Sequence, residues 1–121
     1  MNSGSYRLYI KVSRKTAIVI GALGRQVFEK GIYVYTGSAM KNLKQRMERH
    51  KTKEKKIRWH IDYLLDSRYS SIVGIEVFES QNREECRLNM EIAAKPDARI
   101  PVMGFGSSDC KSCPAHLIKI E

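Results

Sequence analysis

The stretch Ile32-Tyr33-Val34-Tyr35-Thr36-Gly37-Ser38-Ala39 decides the fold, because its residue types predict that a strand ends and a helix begins within it. The first five residues are β-branched or aromatic, the types enriched in strands. Glycine then interrupts the strand pattern, and Ser38 is a favoured residue type at the start of a helix. We therefore predict that the strand ends at Gly37 and that Ser38 is the helix N-cap.

The predicted helix runs from Ala39 to Lys51 and has an apolar stripe at Ala39, Leu43 and Met47. When successive residues are turned by about 100°, Arg46 and His50 fall beside this stripe, and Arg49 falls on the far side. The sequence thus predicts that a guanidinium and a titratable imidazole face inward, close to the end of a strand.

Outward from this segment, alternating or apolar β-branched runs predict five further strands, and helical spacing predicts two further helices. The strands are expected at Tyr6–Val12, Thr16–Ile20, Arg25–Phe28 and Ile72–Phe78, with a last short strand near His116–Ile120. The helices are expected at Ile57–Leu65 and from about Ser80–Glu85 to Ala94, the latter capped by Ser80 or Asn82. This order predicts one α+β domain over residues 1–121, a small mostly antiparallel sheet with an extra N-terminal hairpin and about three helices.

The formal net charge of +9, from 22 Lys and Arg against 13 Asp and Glu, favours a polyanionic partner. We expect DNA, with RNA not excluded, rather than a membrane surface, because the densest basic run has no apolar face. The chain begins without a secretory pattern, so we expect a cytoplasmic protein. The predicted contacts to the phosphate backbone are Lys53, Lys55, Lys56 and Arg58, although a solvated loop explains this run equally well.

The segments Tyr35-Thr36-Gly37 and Asn42-Leu43, followed by Arg46, resemble the second half of the GIY-YIG nuclease motif, and His50 is similar to a histidine in restriction enzymes of that superfamily. Gly4-Ser5-Tyr6 resembles the first half, with Ser in place of the usual Ile and a connection of 28 residues that an inserted hairpin explains. The whole chain resembles the small stand-alone Uri-type subgroup, through the blocks Trp59-His60-Ile61-Asp62-Tyr63-Leu64, Gly104-Phe105-Gly106-Ser107-Ser108-Asp109-Cys110 and Cys113-Pro114-Ala115-His116-Leu117.

The resemblance implies a metal-dependent endonuclease in which one Mg²⁺ or Mn²⁺, held by a helix Glu, activates the phosphate while a Tyr deprotonates water. Tyr6 is the expected general base, because the first half of the motif carries it. Tyr35 is expected to orient the phosphate or relay a proton, and His50 is the alternative proton acceptor. Gly37 and His60 are expected to position the substrate.

Two glutamates compete for the metal role. Glu85 lies on the helix stripe with Leu88 and Ile92 and is expected to point toward the tyrosines, whereas Glu91 lies on another face. We predict Glu85, and Glu91 stays the rival because the usual Glu of the superfamily sits later in its helix.

Three cysteines argue against a disulfide framework and for reduced thiols or a metal site. Cys110, Cys113 and His116 have the spacing of zinc ligands, and Cys86 is a candidate fourth ligand. The alternative is that Cys86 packs as a small apolar residue and that the tail places Asp109 or His116 near the active site.

The sequence thus leaves two candidate functions: a DNA endonuclease in repair or processing, or a nucleic-acid-binding protein of the same fold that does not cleave and that zinc could stabilise.

Overall fold

A computed structural model describes residues 1–107 and 112–121 of the chain. The strands are β1 (Gly4–Val12), β2 (Thr16–Val19), β3 (Arg25–Phe28), β4 (Gly31–Ala39), β5 (Ser70–Glu79) and β6 (Leu117–Lys119). The helices are α1 (Leu43–Lys51), α2 (His60–Asp66) and α3 (Glu85–Ala93), and a short 3-10 helix occupies Gly21–Leu23. The predicted α+β class is confirmed.

The main sheet has four antiparallel strands in the order β5-β1-β4-β6. The predicted hairpin is present as β2 and β3, which form a separate two-stranded sheet with Gly21–Leu23 at its turn. Strand β1 is paired on both sides, with a register shift against β5 between Tyr9 and Ile10, and most of its residues are buried.

The larger core lies on one face of the sheet. Alternate residues of β1, from Tyr6 to Val12, are buried there against Tyr33 and Tyr35 of β4 and against the apolar faces of α1 and α2. Helix α3 lies on the opposite face, where Ile92 packs with Val34 in a smaller cluster. A fully buried aliphatic side chain contributes about 1.5–3 kcal/mol, so the β1 row is a main source of stability.

The start of α1 differs from the prediction, since Gly37 does not end the strand and Ser38 is not the N-cap. Strand β4 continues to Ala39 because it stays paired with β1, and Ser38 bonds across the pair to Ser5 (Oγ to Oγ 2.9 Å). Helix α1 begins at Leu43.

The N-cap of α1 is Asn42, which has left-handed backbone angles and no capping side-chain bond. Asn2 supplies the cap instead, because its backbone oxygen accepts the Leu43 N–H (3.2 Å) and its Oδ1 accepts the Lys44 N–H (2.8 Å). These acceptors satisfy donors that the first helical turn leaves without partners.

The other two helices also begin later than predicted. Helix α2 starts at His60 rather than Ile57. Helix α3 starts at Glu85, with Glu84 as its N-cap, so the expected capping by Ser80 or Asn82 is wrong. Among the described residues, no helix has the length and apolar character needed to cross a membrane.

Replacing Leu8 by Ala removes a fully buried side chain from the central strand. We expect the free energy of unfolding to fall by about 2–5 kcal/mol, because the surrounding core refills only part of the cavity. Urea denaturation with an unchanged slope measures this loss. Val73→Ala, at a side chain that is 57% exposed, is the control and should change stability by about 0.5 kcal/mol or less. Equal effects of the two substitutions would contradict the assignment of the core.

Candidate functional site

A pocket of about 500 Å³ opens where the start of β1 and the end of β4 meet the three helices. The hairpin contributes Gly21 and Ala22 to its wall. Seven residues predicted from the sequence line it: Tyr6, Tyr35, Gly37, Arg46, Arg58, His60 and Glu85. The structure therefore brings together side chains that are spread over 80 positions of the chain.

Tyr6 reaches into the pocket across β4. Its cross-strand partner is Gly37, where an added Cβ would lie only 2.6 Å from the Tyr6 hydroxyl oxygen. Glycine is therefore required at this position for the tyrosine ring to pass. The hydroxyl continues to α1, where it forms a 2.9 Å hydrogen bond with Nε2 of His50.

Burial controls the protonation of this pair. It raises the pKa of Tyr6 to about 12, although nearby Arg46 partly opposes the shift. For His50, burial and then the charge of Lys55 lower the pKa to about 4. At neutral pH the pair is therefore a neutral phenol beside a neutral imidazole. His50 is 2% exposed, and its Nδ1 is buried without a hydrogen-bond partner.

Tyr35 completes an aromatic group with this pair. Its ring centroid lies 6.4 Å from that of Tyr6 and 6.3 Å from that of His50. Burial raises the pKa of Tyr35 well above its ordinary value, so its hydroxyl is also a neutral donor. Gly106 has left-handed backbone angles and approaches the ring closely, since an added Cβ would lie 3.0 Å from Cε1 of Tyr35.

Arg46 supplies positive charge beside these neutral groups. Within residues 1–107 and 112–121, no carboxylate forms an ion pair with it. Its Nη1 donates to the backbone oxygen of Ser38 (3.3 Å), and its guanidinium lies 4.4 Å from the centroid of the Trp59 ring. The inward direction predicted for Arg46 and His50 is confirmed.

The two rival glutamates lie in different places. The side chain of Glu85 is 22% exposed and lines the pocket, with Oε2 3.2 Å from Nδ1 of His116 and Oε1 3.6 Å from Arg83. The contact with His116 is a close electrostatic approach and not a well-directed hydrogen bond, since Nδ1 has no hydrogen-bond partner. Glu91 instead pairs with Arg7 and Arg87. Only Glu85 of the two faces the pocket.

Glu85 is ionised at neutral pH. Burial alone raises its pKa, but the nearness of His116 and Arg83 outweighs burial, so its pKa lies below the ordinary value. A carboxylate at a pocket wall offers the hard oxygen ligand that Mg²⁺ and Mn²⁺ prefer. Glu85 therefore offers one oxygen ligand to a divalent ion, and His116 and Arg83 lie against the same carboxylate.

His60 presents one free ring nitrogen at the pocket. Its Nδ1 accepts a hydrogen bond from the Gly106 N–H (2.9 Å), so the neutral ring carries its proton on Nε2. Burial lowers the pKa of His60, which favours this neutral form.

The basic run predicted to contact phosphate lies mostly outside the pocket. Nζ of Lys53 donates to backbone oxygens of Ser67 and Ser70 (2.7 and 3.2 Å), and Nζ of Lys55 donates to those of Arg49 and His50 (3.1 Å each). These ammonium groups bind carbonyls at and just beyond the ends of α2 and α1, where the helix dipoles favour cations. They do not line the pocket, and neither does exposed Lys56. Only Arg58 of the predicted phosphate contacts lies there.

The sequence missed the buried pair of Arg49 and Asp62. Asp62 is fully buried and accepts two hydrogen bonds from the Arg49 guanidinium (2.9 Å each) and one each from the backbone N–H groups of Arg58 and Trp59. The sequence placed Arg49 on the side of α1 away from the apolar stripe and did not predict its partner there, Asp62. The sequence did carry a signal for the role of Asp62, which lies three positions after Trp59, the N-cap of α2. An acidic residue at that position accepts hydrogen bonds from the free backbone N–H groups at the start of a helix.

The expected zinc ligands are partly together. The ligand atoms of Cys86, Cys113 and His116 lie within 4.8 Å of one another, whereas Cys110 and Asp109 lie outside the described residues. Cys113 is a buried free thiol, but Cys86 is in a disulfide, contrary to the expectation of reduced thiols. A thiolate ligand at Cys86 therefore requires reduction of that bond.

The fold and the pocket define a small basic α+β protein in which two tyrosines, an arginine and a glutamate converge on one cavity. Over residues 5–121 the chain matches the family described as a domain of unknown function, DUF123, and it belongs to that family. No curated protein and no solved structure matches the chain.

The low pKa of His50 makes stability depend on pH. An unfolded His binds a proton near pH 6.5, whereas folded His50 remains neutral down to about pH 4. The unfolded state thus binds more protons in this window, so stability is lost as pH falls from 6.5 toward 4. We expect the wild type to lose about 3 kcal/mol more than His50→Gln between pH 7 and pH 4, measured by urea denaturation.

Tyr6→Phe is the control for this measurement, because it keeps the buried imidazole and should retain most of the pH dependence. Parallel pH profiles for the wild type and His50→Gln would show that His50 is not held neutral by the fold.

Proposed function

We propose that this protein is a metal-dependent endonuclease of the GIY-YIG type that hydrolyses phosphodiester bonds in DNA, in repair or processing. The observation that carries the proposal is the convergence of Tyr6, Tyr35, Arg46 and Glu85 on one pocket, with His50 bonded to Tyr6. This is the set of groups that phosphodiester hydrolysis needs: a cation, a base, and a carboxylate for a metal. The net charge of +9 supports a polyanionic substrate.

Glu85 would hold the divalent ion. When bound, Mg²⁺ or Mn²⁺ supplies charge stabilisation at the scissile phosphate. The Glu85 carboxylate is ionised and reaches the pocket, so the protein presents an anionic oxygen without first losing a proton. His116 and Arg83 lie against the same carboxylate and fix its position.

Tyr6 and His50 would handle the proton of the attacking water. With a pKa of about 12, Tyr6 cannot lose its proton to solvent near neutrality, so the proton must pass to a neighbour. Nε2 of His50 lies 2.9 Å from the hydroxyl and is unprotonated in the tautomer that accepts from it. As the water oxygen bonds to phosphorus, Tyr6 would take the water proton while its own proton moves to Nε2 of His50. The P–O bond to the leaving sugar oxygen breaks, and that oxygen takes a proton from solvent. His50, with a pKa of about 4, then releases its proton to solvent.

Arg46 and His60 would bind the phosphate oxygens. A guanidinium without a carboxylate partner keeps its N–H donors available for the charge that develops in the transition state. The Nε2–H of His60 adds a neutral donor on another side of the pocket. Tyr35 contributes a third donor through its protonated hydroxyl.

A second candidate is a protein that binds structured DNA or RNA without cutting it. It is favoured by the contacts of Glu85, whose carboxylate is already engaged by His116 and Arg83 rather than open to a metal. In the cytoplasmic setting predicted from the sequence, thiols are kept reduced, and Cys86, Cys113 and His116 would then be able to hold a stabilising zinc ion.

Glu85→Gln removes the proposed metal ligand while keeping the size of the side chain. We expect cleavage of plasmid and branched DNA in Mg²⁺ or Mn²⁺ to fall by at least about a hundredfold, because the metal site loses its charged ligand. Arg46→Ala should lower the rate by about 10²–10³-fold. Gel assays of product formation measure both effects.

Glu91→Gln is the matched control and should leave cleavage unchanged, because Glu91 lies outside the pocket. Wild-type protein that binds DNA with strong salt dependence but yields no products with either metal would favour the second candidate. Cleavage that survives Glu85→Gln would remove Glu85 from the metal role.

The zinc site is tested separately by metal analysis of protein prepared with reductant and without chelator. One zinc per chain in the wild type, lost in Cys113→Ser, is the expected result if zinc stabilises the fold. A stoichiometry near zero in the reduced wild type excludes the site.

A further inference from the structure

In the part of the chain that the structure describes, the position of the Arg46 side chain is not explained by an ion pair with a carboxylate, the contact that most often fixes a guanidinium. Its side chain is half-buried, and among the described residues no carboxylate pairs with it. Among the described residues its backbone contact, to the Ser38 oxygen, is long at 3.3 Å, and it also lies beside the Tyr6 hydroxyl, which is neutral at neutral pH. Two contacts of this kind leave a long side chain much of its rotamer freedom.

The Trp59 ring is the stronger contact. The guanidinium carbon of Arg46 lies 4.4 Å from the ring centroid, well inside the range of cation–π attraction. The Arg49 guanidinium lies at the same distance from the ring, and Arg58 lies at 5.7 Å. Trp59 itself lines the pocket, so the ring and Arg46 meet at the cavity wall.

A buried ion pair holds the ring in place. Asp62 accepts the Trp59 backbone N–H (3.0 Å) and binds Arg49 through both carboxylate oxygens. Arg49 in turn lies over the ring. Because Asp62 is fully buried and Arg49 is paired bidentately, this assembly has little freedom to shift.

We propose that Trp59 is a positioning residue that holds the Arg46 guanidinium in the pocket for an anionic phosphate group. The two arginines have different duties: Arg49 is neutralised by Asp62 and supports the ring, whereas Arg46 keeps its charge for the ligand. The inference rests on the proposed function in that it assigns phosphate to Arg46, but it concerns binding and not cleavage.

This role differs from stacking of a nucleobase on Trp59, the other use of an exposed aromatic ring in nucleic-acid binding. Two guanidinium groups already lie at stacking distance from the ring, so a base would have to displace one of them. With both guanidinium groups against it, the Trp59 ring would affect phosphate binding by holding Arg46 in position. The two roles are separated by a ligand that has phosphate and no base.

The test measures the affinity for inorganic pyrophosphate by calorimetry in four proteins: wild type, Trp59→Leu, Arg46→Ala and the double variant. We expect Trp59→Leu to weaken binding about tenfold, as for loss of a partly desolvated cation–π contact. In the Arg46→Ala background the same substitution should cause no further loss, since the interaction it removes is already absent. Trp59→Phe should lose less than Trp59→Leu, because Phe keeps a weaker ring.

Three results would overturn the proposal. In the first, the wild-type protein fails to bind pyrophosphate, and in the second, the Trp59→Leu variant binds pyrophosphate normally and loses affinity for single-stranded oligonucleotides. In the third, Trp59→Leu causes the same loss of pyrophosphate affinity in the wild-type background as in the Arg46→Ala background. Thermal unfolding of each variant checks folding, and if Trp59→Leu does not fold, the Trp59→Phe pair alone carries the cycle. A wild type that binds pyrophosphate but cleaves no DNA would count against the nuclease proposal and leave the role of Trp59 standing.

Discussion

The close approach of Tyr6 to Gly37 is the constraint on which the rest of the site depends. The tyrosine ring crosses β4 at Gly37, where no Cβ blocks it, and its hydroxyl then meets His50 on α1. The contact with Gly37 is compatible with one register of β1 against β4, and the bond to His50 holds α1 against the sheet at the same point. Strand pairing, helix packing and the geometry of the pocket are therefore not independent features of this fold. A side chain at position 37 would disturb all three.

The pocket separates neutral groups from charged ones. Its floor holds Tyr6 and Tyr35, with His50 bonded to Tyr6 behind the floor, and burial keeps all three uncharged at neutral pH. Its wall holds the Arg46 guanidinium and the Glu85 carboxylate, whose pKa lies below its ordinary value. This division follows from the cost of burying charge, which exceeds the cost of burying a hydrogen-bonded phenol or imidazole. A neutral floor can transfer protons, while a charged wall can hold an anion and a cation.

The sequence predicted the fold class, the inserted hairpin and the inward direction of Arg46 and His50, because these follow from periodicity along one segment. It failed where the deciding partner is remote in the chain. Asn2 caps a helix 42 positions away, and Ser38 continues a strand because it is paired with Ser5. Lys53 and Lys55 donate to backbone oxygens. Because every residue has such an oxygen, the residue types in the sequence do not indicate which ones these lysines contact. The prediction that Glu85 rather than Glu91 faces the pocket rested only on the angle between successive residues of a helix. The role of Glu85 as a metal ligand stays a prediction.

The hairpin of β2 and β3 has a consequence for how this site is able to vary. It pairs with itself outside the main sheet, yet its turn, at Gly21 and Ala22, forms part of the pocket wall. Surface connections accept changes in length at small entropic cost, so the hairpin is an adjustable boundary attached to a fixed floor. Lengthening or shortening it would alter the pocket wall at Gly21 and Ala22, whereas Tyr6 and Arg46 lie on β1 and α1. Under the proposed function, the size of the ligand and the chemistry of the site would therefore be set by separate parts of the chain.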